Sequence, residues 1–186
     1  MFQPTKIELK KTLEEERKIY LSPSRKYRLL QWIKQDEKFQ IWRFVVALRY
    51  AGYYKNCQHQ SLWKKMLSVY WRRRQNRLGC RLGLIFGANA FDSGLTIHHI
   101  GNIVADGNIG KNCQLHGDNC IGRSHGNDTP TLGDNVRLGV GAKVIGDIYI
   151  ANNVTIAAGA VVTKSCYEEG ALLAGVPAKI IPRKTK

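Results

Sequence analysis

From Ile97 onward, every sixth residue is aliphatic. Ile97, Ile103, Ile109, Leu115 and Ile121 form one series, and Leu132, Leu138, Val144, Ile150, Ile156 and Val162 form a second. Counting back by six from Ile97 gives Phe91 and Ile85, and Gly or Ala follows the aliphatic residue at 110, 122, 133, 139, 151 and 157. A helix repeats near 3.6 residues and a flat strand at 2, so neither explains a period of six. Three hexapeptides make one triangular coil with the periodic residue pointing inward, and such coils stack at strand-like spacing of about 4.8 Å. One coil cannot bury its own apolar face, so stacking supplies the stability. The step from Ile121 to Leu132 is one hexapeptide plus five residues. The segment 122–131, with RSHGNDTP at its centre, therefore contains a loop thrown out of the coil.

The first 79 residues follow a helical pattern instead. The stretch 10–20 is charged and helix-favouring, and Ser22-Pro23-Ser24 reads as a helix start, with Ser22 at the cap and Pro23 at the first helical position. The stretch 31–54 carries Trp32, Ile33, Phe39, Trp42, Val45, Val46 and Leu48 as a rough helical stripe. The stretch 62–78 repeats the pattern with Leu62, Met66, Leu67 and Tyr70, and Gly79 is expected to stop it. The expected class is α+β: a helical domain over 1–79, then a single-stranded parallel β-helix of hexapeptide repeats over 80–186.

Charge sharpens the division. The chain carries +15 overall; residues 1–79 hold 19 Lys and Arg against 6 Asp and Glu, whereas 80–186 hold 10 against 8. Basicity therefore belongs to the helical part. There Trp63-Lys64-Lys65-Met66 and Tyr70-Trp71-Arg72-Arg73-Arg74 interleave cations with aromatic and apolar residues. Residues 62–78 suit an anionic membrane surface or a packing role in assembly; no recognised nucleic-acid motif appears, so nucleic acid is the less favoured partner. No run of about 18 apolar residues exists. The opening MFQPTKIELKKTLEEE has no apolar core and no cleavage pattern, and the five cysteines lack a CxxC pair. A cytoplasmic setting, peripheral to the membrane at most, is expected.

Three stretches carry a family resemblance: GLTIHHIGNIVADGNIGKNCQLHGDNCIG (94–122), LGDNVRLGVGAKVIGDIYIANNVTIAAGAVVTK (132–164) and AGVPAKII (174–181). Together they resemble the serine acetyltransferase-like group of hexapeptide acyltransferases. The resemblance implies a left-handed coil, a homotrimer or a multiple of one, and acetyl-CoA held in the groove between neighbouring β-helices. It places the catalytic base at His99, two residues after the inward Ile97. A hydroxyl is a poor nucleophile near neutrality, and an imidazole, ordinarily titrating near 6.5, can take its proton. His98 lies three hexapeptides before His116, so the two rings should stack on adjacent coils. On the donor side the resemblance implicates Gly141, Ala142, Ala158 and Gly159 for the pantetheine arm and Thr163, Lys164 and Lys179 for the phosphates.

The resemblance is incomplete on the acceptor side. Leu84 stands fifteen residues before His99, where the family carries an orienting Asp, and Thr129 precedes Pro130, where it carries a second His. Orientation of His99 then falls to a backbone carbonyl, to Asp92 or Asp106, or to a neighbouring subunit. Arg123, His125 and Asp128 in the loop, with His98 and His116, are the candidate acceptor contacts. The expected activity is acetyl transfer from acetyl-CoA to a hydroxyl, serine first and a sugar of a surface polysaccharide second. A metal-dependent hydratase of the γ-carbonic-anhydrase type shares the repeat. It needs three His around zinc at a ligand spacing this chain lacks, so no metal is expected.

Overall fold

The computed structural model describes residues 4–124, 126 and 129–182. Four α-helices come first: α1 (Lys6–Tyr20), α2 (Arg25–Lys34), α3 (Glu37–Cys57) and α4 (Leu62–Leu82). Short strands β1 (Leu84–Phe86) to β14 (Ala178–Ile181) follow and line three sheets. One sheet runs β1-β3-β6-β9-β12, the second β10-β7-β4 and the third β14-β13-β11-β8-β5-β2, with every pairing parallel except the closing β13–β14 hairpin. From β2 to β12 every third strand thus joins the same sheet, which is the triangular coil expected from the period of six.

All eleven aliphatic residues from Ile97 to Val162 are buried, at 4% exposure or less. Phe91 obeys the period as well, bridging to Ile109. Ile85 does not: it is 64% exposed, while Leu84 and Phe86 face the core. The strand pairing explains this, since β1 lies beside β3 (Ile103–Ala105) with Leu84 opposite Ile103. Between β6 (Cys120–Gly122) and β7 (Thr131–Leu132) the chain leaves the coil, where the loop is expected.

The helices depart further from the pattern. The stretch 31–54 is not one helix: α2 ends at Gln35, in the left-handed region at φ 51°, and Asp36 starts α3 by accepting the Phe39 N–H at 2.8 Å. Trp32 and Ile33 are therefore exposed on α2, and the core face of α3 is Ile41, Phe44, Val45, Ala47 and Leu48. The start signal at Ser22 acts two residues late. Its hydroxyl accepts the Ser24 N–H, and α2 begins at Arg25. Gly79 does not end α4, which runs on to a left-handed Gly83. A Cβ at Gly79 would lie 2.3 Å from the Leu84 carbonyl, so this glycine serves close packing. Leu62, Met66 and Tyr70 face outward, and Ser68, Gln75, Leu78 and Gly79 are the buried residues of α4.

A buried polar clamp joins helices to coil. Arg49 on α3 donates to both oxygens of Glu16 on α1 (2.5 and 3.1 Å) and to the carbonyls of Phe91 and Asp92. Glu16 also accepts the N–H groups of Gly94 and Leu95. The Tyr20 hydroxyl donates to the Leu95 carbonyl and accepts the Ile97 N–H. Burial holds the Tyr20 phenol well above its ordinary range. These bonds fix the segment 91–97 that leads into His98 and His99.

Candidate active site

His99 lies just beyond β2 (Thr96–Ile97), at a corner of the prism, with its side chain 69% exposed. Glu37, in the first turn of α3, reaches it across 62 positions of sequence. One Glu37 oxygen lies 3.5 Å from His99 Nδ1, and the other accepts the Ile100 N–H at 2.8 Å. The backbone bond fixes the carboxylate, which stands at ion-pair distance from His99 Nδ1. The carboxylate beside His99 is thus neither Asp92 nor Asp106. Asp92 accepts the N–H of Ser93, and Asp106 pairs with Arg123 at 3.1 Å. Leu84, 2% exposed, points into the prism, so no side chain from that position reaches the corner.

His98 and His116 stack as the coil spacing requires, with ring centroids 4.0 Å apart and planes 12° from parallel. One coil further, Arg137 Nε donates to His116 Nε2 at 2.9 Å, which leaves the proton of a neutral His116 on Nδ1. Burial, then the charges of His98, Arg137 and His99, lower the His116 pKa from its ordinary value. Face-to-face rings do not converge their nitrogens on one point. Among the described residues no three His, Cys, Asp or Glu side chains gather as a metal site would require. His125 and Asp128 lie outside the described residues, and of the loop candidates only Arg123 has a described partner.

A column of positive-φ glycines climbs the prism from the His99 corner. Gly117 (φ 114°) sits where an added Cβ would be 3.8 Å from the His99 Cβ; Gly141 (φ 72°) donates to the Gly117 carbonyl, and Gly159 (φ 68°) to that of Val140. Beneath them Asn119, 1% exposed, accepts the Gly117 N–H and donates to the Gly139 carbonyl. Val140, 54% exposed, is the large side chain on this otherwise small-residue edge, with Ala158 exposed beside it and Thr163 and Lys164 exposed after β12 (Val161–Val162). Lys179 is exposed on β14, opposite Ala174. Ala142 does not belong to this edge. It is fully buried, because the residue after the corner glycine turns inward.

The sequence reading missed Glu37 and Arg137. Asp36-Glu37 has the composition of a helix start, which the single stripe read over 31–54 passed over, and nothing local tells that this start docks on the His99 corner.

Comparison with known proteins bears on the fold. The family model for bacterial transferase hexapeptide (six repeats) matches residues 129–164. A serine acetyltransferase of Mycobacterium tuberculosis is 35% identical over 102 residues, covering 53% of this chain and 43% of that protein. The chain therefore spans less than half the length of that relative. Neisseria gonorrhoeae serine acetyltransferase in complex with serine matches with a TM-score of 0.67 at 24% identity, over 95% of this chain and 70% of that one. A serine acetyltransferase in complex with CoA matches at 0.65 and 19%, over 95% and 71%. The chain carries the bacterial transferase hexapeptide repeat on the fold of the serine acetyltransferases, a helical region followed by a left-handed parallel β-helix.

Proposed function

We propose that this chain transfers acetyl from acetyl-CoA to a hydroxyl, with His99 as general base and L-serine as the first acceptor to test. The observation that supports it is the His99 corner: an exposed imidazole with Nδ1 3.5 Å from a Glu37 carboxylate, at the foot of a glycine-rich edge. His99 Nε2 takes the acceptor's proton as its oxygen attacks the thioester carbonyl. The C–S bond breaks, and the imidazolium returns the proton to the leaving thiolate. Glu37 keeps Nε2 as the basic nitrogen and stabilises the imidazolium. The edge Gly141, Ala158 and Gly159 lets a thin pantetheine arm lie against backbone, and Thr163, Lys164 and Lys179 supply donors for phosphate. One prism offers half of a groove, so the working form is a homotrimer or a multiple of one.

A second reading, transfer to a sugar hydroxyl presented at a membrane, is favoured by one observation, the exposed apolar and basic face of α4. Peripheral membrane contact through 62–78 belongs to this reading. Among the described residues no helix is long and apolar enough to cross a membrane. The deciding experiment measures coenzyme A release from acetyl-CoA with L-serine and with a panel of hexoses and amino sugars. Release with serine alone supports the first reading. Release with sugars alone removes serine and keeps acetyl transfer. No release with any acceptor, from protein that light scattering shows to be trimeric, overturns acetyl transfer.

A further inference from the structure

Helix α4 carries seven Lys or Arg and no Asp or Glu. Its exposed residues are sorted along its length. Leu62, Met66, Val69 and Tyr70, all more than half exposed, share one face with Arg73, Arg77 and Arg81, which continue it by successive turns. Three adjoining cavities follow this face. The outer one, about 570 Å³, is lined by the apolar group with Lys65 and Arg73. The middle one, about 430 Å³, brings Arg73, Arg74, Arg77 and Arg81 together with Arg43 from α3. The inner one, about 370 Å³, passes Arg43 and Arg81 to Gln35, Gln40 and Leu82. No carboxylate lines any of the three.

Five guanidinium groups therefore converge on one groove without an acid among its lining residues. Their described partners are neutral: Arg43 reaches Gln35 and Gln40 at 3.4 and 3.3 Å, and Arg74 reaches the Tyr70 hydroxyl at 3.5 Å and lies over the Trp71 ring, 5.8 Å from its centroid. The Arg74 Nε–H is shielded from solvent and has no acceptor. Like charges gathered this way repel one another unless an anion joins them. The guanidinium fork matches the paired oxygens of a phosphate better than any neutral group. The apolar half of the face lies outward of the arginines, which is the order of chain and head group in a lipid.

We propose that this groove is a head-group site for a membrane lipid that ends in a phosphate monoester, with the arginines on the terminal phosphate and Leu62, Met66, Val69 and Tyr70 in the acyl layer. The groove's inner end adjoins the His99 corner, because the Leu82 carbonyl accepts the Gly101 N–H and Gln35 and Gln40 flank Glu37. Docking here sets that corner close to the bilayer surface. The site deepens the membrane contact named above and does not depend on acetyl transfer, so its test reads binding alone.

The test is co-sedimentation of the full chain with phosphatidylcholine vesicles, either pure or containing phosphatidic acid or phosphatidylglycerol at matched surface charge. Binding is expected to phosphatidic acid vesicles first, and to be reduced by inorganic pyrophosphate. Arg77→Ser with Arg81→Ser should weaken it about fivefold per arginine, roughly 25-fold together. Arg77→Lys with Arg81→Lys keeps the charge but not the fork. It should bind both anionic vesicles alike, which also shows that a loss in the serine variant is not misfolding. Leu62→Ser with Met66→Ser should weaken binding without changing the preference. Equal binding of wild type to both anionic lipids with no effect of pyrophosphate would reduce the groove to general charge attraction and overturn the site. So would unchanged binding by the serine variant, or a serine variant that alters oligomer mass and not vesicle binding, which would assign the groove to a second copy of the chain.

Discussion

Replacing Arg49 with Met should destabilise the protein through the carboxylate it leaves behind. Glu16 is fully buried and Arg49 is 3% exposed at the side chain. In the native fold Glu16 receives two bonds from Arg49 and two from the N–H groups of Gly94 and Leu95. Met fills a similar volume but removes the compensating charge and the donors to the Phe91 and Asp92 carbonyls. Removing one partner of a buried ion pair costs about 3–5 kcal/mol. For a chain of this size each kcal/mol moves Tm by about 2–4 °C, so the single variant should melt roughly 6–20 °C lower. Glu16→Gln combined with Arg49→Met removes the stranded charge while the amide oxygen still accepts from Gly94 and Leu95. The double variant should recover at least half of the loss. Melting is followed by circular dichroism at one fixed protein concentration, since assembly would shift Tm by mass action. If the double variant melts no higher than the single one, the stranded charge is not the cause and the reasoning fails.

Four further outcomes follow from the site. His99→Ala should lower the rate of acetyl transfer at least about a hundredfold with an unchanged circular dichroism spectrum; a variant within threefold of wild type would remove His99 from the mechanism. Glu37→Gln should lower kcat about tenfold or more and leave KM for acetyl-CoA in place, as expected for a group acting through His99; a change confined to KM would refute that role. The His116 ring should titrate below its ordinary 6.5 by NMR, and Arg137→Gln should raise its midpoint. Because the folded value is depressed, the native state holds its full stability above the ordinary pKa and loses this contribution as pH falls through the folded value; a midpoint at or above 6.5 contradicts the stack. Ala158→Trp, at an exposed position on the glycine edge, should raise KM for acetyl-CoA several-fold without moving that for the acceptor, whereas an equal rise in both would separate this edge from the donor.

The coil was legible because the inside of a narrow prism takes one apolar side chain from each hexapeptide, and eleven such positions leave no other period. Its first turn was not. Leu84, Ile85 and Phe86 are all apolar, so the period alone cannot choose the inward pair; pairing of Leu84 with Ile103 does. The asparagine ladder along one corner was open to the same counting and went unread. Asn112, Asn135 and Asn153, all at φ between 56° and 59°, bond in sequence and end on Glu169. Ala142 illustrates the opposite error: next to Gly141 it looks like part of a bare edge, yet alternation turns it into the core.

The acid beside His99 was hidden for a different reason. The position fifteen residues before His99 is held by an inward Leu84, paired with Ile103, so no carboxylate comes from there. It comes from α3, and α3 is placed by contacts that no window of sequence contains: Arg49 on Glu16 and on the carbonyls of Phe91 and Asp92, and Tyr20 on Leu95 and Ile97. Those same bonds hold the segment that carries His98 and His99. The helical region and the base are therefore coupled mechanically. Loosening the clamp shifts Glu37 and His99 relative to each other, and a contact already at 3.5 Å, the outer limit of hydrogen bonding, has no length to lose. The Arg49 variant should accordingly lose catalytic rate at temperatures where it is still folded. The Glu16→Gln, Arg49→Met double variant, with the stranded charge gone, should regain stability more fully than rate.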